Sequence, residues 1–77
     1  MFDRRRWETD SRYYETVVTR DLLDDCILVK IWGGKFNRLG GSRTIAVGEN
    51  SVERLLARIE RERARKGYVM VGRWQQA

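Results

Sequence analysis

Apolar and polar positions alternate with a period of two along most of the chain, and near residue 51 the period lengthens to that of a helix. The strongest alternation runs from Cys26 to Trp32, where Ile27, Val29 and Ile31 share one face and Cys26, Leu28, Lys30 and Trp32 the other. Both faces are largely apolar. Upstream, Phe2 to Glu8 alternates weakly, with three arginines between Phe2 and Trp7, and Thr9-Asp10-Ser11 breaks the pattern, which predicts a first, edge strand and a turn. Arg12 to Thr19 is rich in β-formers and sets Tyr14, Thr16 and Val18 opposite Tyr13, Glu15 and Val17, a second strand. Arg20 to Asp25 reads as a solvated acidic turn before the third strand. Ser42 to Gly48 places Arg43, Ile45 and Val47 against Thr44 and Ala46, a fourth strand joined to the third by a long loop.

A helix is predicted from Ser51 to about Lys66, with Asn50 as N-cap, Glu53 completing a capping-box-like pair and Gly67 as the C′ stop. Val52, Leu55, Leu56 and Ile59 form its apolar stripe, which in so short a chain must lie on the sheet. Tyr68 to Trp74 closes the chain as a last strand, with Tyr68, Met70 and Trp74 expected on one face. The order β-β-β-β-α-β predicts an α+β fold: an antiparallel sheet of four to five strands with one amphipathic helix packed on one face. Residues 1–77 then form a single domain.

Composition narrows the chemistry. A chain of 77 residues buries only roughly 60% of its unfolded-state surface. With one cysteine and no histidine it has neither an internal disulfide nor the usual metal-site spacing to reinforce so small a core. Packing, including packing on a partner subunit, must supply its stability. Sixteen lysines and arginines stand against eleven acids, a formal charge of +5 and a pI near 10.0, which favours anionic partners, either nucleic acid or acidic protein surfaces. Cys26, inside an apolar run, reads as a small buried hydrophobe, and a reducing, cytoplasmic location follows from it. The N-terminus lacks the apolar stretch of a secretory signal, and no apolar run is long enough to span a bilayer, so a soluble protein without membrane contact is expected.

No catalytic residue, cofactor or metal is expected, because the chain offers no histidine, no serine with a base, and no carboxylate pair in an evident cleft. Asp21, Asp24 and Asp25 do not follow the calcium-loop spacing, and Gly33-Gly34-Lys35 is followed by Phe36 where a P-loop needs Ser or Thr. Binding residues are easier to find. After Trp32 come Gly33, Gly34, Gly40 and Gly41, which allow positive φ and close backbone approach, with Lys35, Arg38 and Arg43 supplying charge and Phe36 an aromatic surface. On the helix Arg54, Arg58, Arg61 and Arg65 recur at i, i+4, i+7 and i+11 in one stripe, flanked by Glu53, Glu60 and Glu62. These residues fit a module that neutralises phosphates and stacks Trp32 or Phe36 on a base or an end. A protein-interaction module, including a homodimer, is the alternative: Ile27, Val29 and Ile31 form an apolar face that one helix on the other side leaves open. Phe2, Trp7 or Trp74 folding over that face as local cover is the plainer reading of the same residues. Arg4, Arg5 and Arg6 read equally as an electrostatic surface and as protection of an edge strand.

Over nearly its whole length the chain resembles the WGR domain family. Tyr13-Tyr14 stands where that family has Phe-Tyr, and Asp21-Leu22-Leu23 matches its Asp-Leu-Phe-Gly turn. Leu28 and Trp32-Gly33 match the central motif, Gly40 and Arg43 the loop exit, and Lys66-Gly67-Tyr68 the close. The resemblance implies an antiparallel sheet with one packed helix, a nucleic-acid or protein contact surface around the Trp-Gly turn, most naturally for DNA, and no catalytic activity. The chain departs from the family at three places: Gly34 replaces the motif arginine, Lys35-Phe36 replaces Ile-Gly, and Asp24 stands where the turn has glycine.

Overall fold

The computed structural model describes residues 2–76. Five strands, β1 (Phe2–Glu8), β2 (Arg12–Arg20), β3 (Cys26–Gly34), β4 (Gly40–Ala46) and β5 (Val69–Gln76), form one sheet in the order β4-β3-β2-β1-β5, and every neighbouring pair is antiparallel. Between β4 and β5 a short 3-10 turn, Glu49–Ser51, leads into the helix α1 (Val52–Arg65). The chain is thus an α+β fold, as its periodicities predict. α1 leaves the β4 edge at the end of the sheet where β3 begins and delivers the chain to β5 at the other end and the other edge, so it crosses the sheet diagonally.

The register explains which residues α1 covers. Cross-strand partners share a face, and one row reads Trp7, Tyr14, Trp32, Gly41, the next Arg5, Thr16, Lys30, Arg43, and the third Asp3, Val18, Leu28, Ile45. Onto these rows α1 lays Val52, Leu56 and Ile59, and together with Trp7, Val18 and Leu28 they make the buried core, with Leu55, Ile45, Cys26 and Met70 packed around it. Burying one such side chain contributes about 1.5–3 kcal/mol, so this handful of residues carries most of the favourable term. At the corner that α1 leaves free beside β5, Asp3 is fully buried and accepts hydrogen bonds from Arg5 Nε at 3.0 Å and Gln75 Nε2 at 2.8 Å.

Four expectations need correction. β1 is not an edge strand: β5 pairs along its free side, from Phe2 opposite Gln76 to Glu8 opposite Val69, and the edges are β4 and β5. Trp74 does not share a face with Met70, because the β1–β5 register shifts between Arg6 and Trp7 and leaves Val71 as an extra residue; after such a bulge the remaining side chains exchange faces. Asn50 does not cap α1, since it lies inside the 3-10 turn and the N-cap, Ser51, makes no side-chain capping bond. Positive φ is also not what the loop glycines supply. Among the described residues it occurs at Gly67 and Asp24.

Both of those residues end elements. Gly67 at φ 86° completes a Schellman motif in which its N–H reaches the Ala64 carbonyl at 3.1 Å and the Tyr68 N–H reaches that of Arg63 at 2.9 Å. Asp24 at φ 64° closes the β2–β3 turn, whose Asp21 Oδ1 accepts from the N–H groups of Leu23 and Asp25. The non-glycine residue at position 24 therefore occupies the conformation that glycine favours.

Candidate nucleic-acid interface

The two faces of the sheet treat charge differently. On the face away from α1, Glu15 is buried beneath Arg4 and Arg6, each 3.1 Å from its Oε1. Arg4 lies by the Trp74 ring and Arg6 over Tyr13, 5.5 and 4.5 Å from the ring centroids. Arg6 also binds Glu8 at 2.8 Å, and Glu8 receives Lys35 at 2.7 Å. These two hydrogen bonds, that from Lys35 first, hold the Glu8 carboxyl below its ordinary range. Lys35 is therefore engaged within the molecule.

Lys30, Arg43, Arg54, Arg58, Arg61 and Arg65 have no carboxylate within ion-pairing distance among the described residues. Lys30 and Arg43 are neighbours in one row on the α1 side. The azimuth of the helix sets where the arginine stripe stands. Glu60, one flank of α1, reaches Arg5 of β1 at 3.6 Å, and residues advance by about 100° around a helix. The opposite flank, which carries Leu55 and Glu62 with Arg58 next to them, therefore faces β3 and β4. Arg54, Arg58, Arg61 and Arg65, on average roughly 160° around α1 from Val52, Leu56 and Ile59, stand exposed on the outer side of the helix, with Arg58 nearest that flank, while Lys30 and Arg43 lie on the sheet beside it.

At the end of the sheet where β3 ends lies a pocket of about 370 Å³, lined by Tyr14, Trp32, Tyr68, Arg63, Arg12 and Asn37, with Ser11, Leu39 and the backbone of Gly33, Gly34 and Gly40. Its volume lies in the range of small-ligand sites, about 300–1,000 Å³. Trp32 is 39% exposed, with its indole over Gly41, where a Cβ would meet the ring at 3.0 Å. Arg63 is held between two tyrosine rings, 4.2 Å from the Tyr14 centroid and 5.0 Å from that of Tyr68. Its Nε is buried without a hydrogen-bond partner. Burial pushes the Tyr14 phenol up, with the Arg63 charge opposing, so the hydroxyl keeps its proton at neutral pH.

The site residues expected from the sequence thus separate. Trp32 lines the pocket, Arg43 lies beside Lys30 on the α1 side of the sheet and Arg54, Arg58, Arg61 and Arg65 stand on the outer side of α1, whereas Phe36 and Arg38 stand exposed on the 35–39 loop. Ile27, Val29 and Ile31 lie half-buried on the face away from α1, in register with Thr19, Val17 and Glu15. Trp7 is in the core on the other side, so Trp74 and not Trp7 covers part of that face. Arg63, Tyr14, Tyr68, Arg12 and Lys30 went unnoticed, although Arg63 continues the apolar series Val52, Leu56, Ile59 at helical spacing, and a charge in phase with a core stripe signals a special site.

No protein-family model, curated protein or solved structure matches this chain. No helix among the described residues is long and apolar enough to cross a membrane.

Proposed function

We propose that the chain is a small non-catalytic nucleic-acid-binding module with a WGR-like architecture, which holds its partner through the exposed arginines of α1 together with Lys30 and Arg43 on the sheet beside it. The observation that carries this reading is the segregation of charge. Glu8 and Glu15 engage Arg4, Arg6 and Lys35 on the face away from α1, whereas on the α1 side the arginine stripe, Lys30 and Arg43 have no carboxylate partner among the described residues. Rows of unpaired cations suit a polyanion, because each phosphate they neutralise releases a counterion. Contacts of this kind are mostly to the backbone and carry little sequence information. DNA is the expected partner.

The test is a fluorescence-anisotropy titration at two salt concentrations. Arg58→Glu with Arg61→Glu should weaken binding at least about tenfold and reduce the salt slope by about 2, one unit per lost phosphate contact. Lys35→Ala, at a residue already engaged by Glu8, should change neither by much. Absence of binding at low salt, or an unchanged double variant, refutes the proposal.

A second reading, a protein-interaction or homodimerising module, is favoured by one observation: Ile27, Val29 and Ile31 stay half-exposed on a face that no helix covers. The two readings use opposite faces and are compatible.

A further inference from the structure

We infer that the Arg63 pocket takes one unpaired base of a single-stranded nucleic acid, selected for a carbonyl-bearing edge such as that of thymine, uracil or guanine; this rests on the nucleic-acid reading above. Shape carries the first half of the inference. The indole of Trp32, 39% exposed, forms one side of a pocket of about 370 Å³ on the sheet and not the tip of a protruding loop. A base still stacked within a duplex has no free face to lay on it. A splayed-out base enters, stacks on the indole, and leaves its flanking phosphates over Lys30 and Arg43.

Hydrogen-bonding capacity carries the second half. Three acceptors around the pocket are already engaged: the Ser11 carbonyl by the Lys35 N–H at 2.8 Å, the Leu39 carbonyl by the Gly34 N–H at 2.9 Å, and Asn37 Oδ1 by the Leu39 N–H at 2.9 Å. Its side chains are rich in donors: the Arg63 and Arg12 guanidinium groups, the Asn37 amide and the indole N–H donate only, and the tyrosine and Ser11 hydroxyls both donate and accept. The Arg63 guanidinium is held between the two tyrosine rings. On its major-groove edge thymine, uracil or guanine presents a carbonyl acceptor where cytosine or adenine presents an exocyclic amine, another donor.

The experiment titrates the intact protein with labelled oligo-dT, oligo-dC and a blunt mixed-sequence duplex, each of about 15 units, near the upper end of the range such sites span. Oligo-dT should bind more tightly than the duplex, against the duplex's higher charge density, and several-fold more tightly than oligo-dC. Trp32→Ala should weaken oligo-dT binding about tenfold, the scale of one lost base stack, and bring its affinity to or below that of the duplex. Arg63→Lys keeps the charge but loses the planar fork, and should abolish the dT-over-dC preference. Its folding is checked by thermal melting, and if it unfolds, half-exposed Trp32 decides alone.

Tighter binding of the duplex, or oligo-dT affinity unmoved by Trp32→Ala, overturns the inference and leaves the nucleic-acid module standing. Equal binding of dT and dC overturns the carbonyl-edge selection. No binding of any of the three at low salt removes the module itself.

Discussion

Gly67 offers the cleanest test of how the pocket is held. It sits at φ 86°, and a Cβ added there meets nothing within 4 Å. Gly67→Ala therefore perturbs the backbone alone. Holding an L-residue in the left-handed region costs about 1–2 kcal/mol, and the lower entropy of the unfolded alanine chain offsets about 0.4–1 kcal/mol of that. The net destabilisation is about 1 kcal/mol. For a domain of this size such a loss lowers Tm by about 4–8 °C, against a total stability of about 4–12 kcal/mol at 0.05–0.15 kcal/mol per residue. Thermal unfolding followed by circular dichroism measures it, with urea titration to check that the m-value is unchanged. Gly67→Asn, which tolerates the left-handed region better, should fall between alanine and glycine. An alanine variant as stable as the parent would show that the Schellman turn does not hold α1 to β5. A loss above about 3 kcal/mol would exceed what backbone strain supplies and would refute the open surroundings of the site. Because the same turn sets Tyr68 against Arg63, the variant should also bind oligonucleotides more weakly than its small stability loss explains.

The remaining predictions concern the other face of the sheet. Val29→Glu should leave the monomer folded, because Val29 is half-exposed on the uncovered face, and should dissociate any dimer; light scattering and circular dichroism on one sample measure both, and unfolding would mark Val29 as core. Lys35 and Arg6 lower the Glu8 pKa, so the Glu8 contribution to stability is present above the ordinary carboxylate range and is lost as pH falls through the lowered folded value. Glu8→Gln should therefore be less stable than the parent at neutral pH and converge with it in acid. A constant difference across that range would sink the assignment.

Much of the fold is local and was legible as such. Alternation of period two locates all five strands, and Val52, Leu55, Leu56 and Ile59 orient α1, because these patterns depend only on which side of an element faces the core. What escaped was set by partners distant in sequence. The interior place of β1 depends on a strand more than sixty residues away, and the bulge at Val71 depends on that pairing, so neither the edge assignment of Arg4–Arg6 nor the side of Trp74 was available from local pattern. The pocket was hidden for the same reason, since Tyr14, Trp32 and Arg63 come from three elements and Tyr68 from the connection between α1 and β5. Of the charged residues, Lys35 looked like its neighbours in composition, and only the geometry reveals the Glu8 carboxylate waiting for it.

The pairing of Phe2 with Gln76 puts the two ends of the described chain side by side at the end of the sheet where β3 begins. The pocket lies at the other end, about 20 Å away along a seven-residue strand. Anything attached at either terminus, whether a tag, a tether or a neighbouring domain, leaves from the corner farthest from Trp32 and Arg63. The proposed binding surface can therefore be carried as cargo on a larger assembly, or fixed to a support through its ends, with the pocket still turned to solvent.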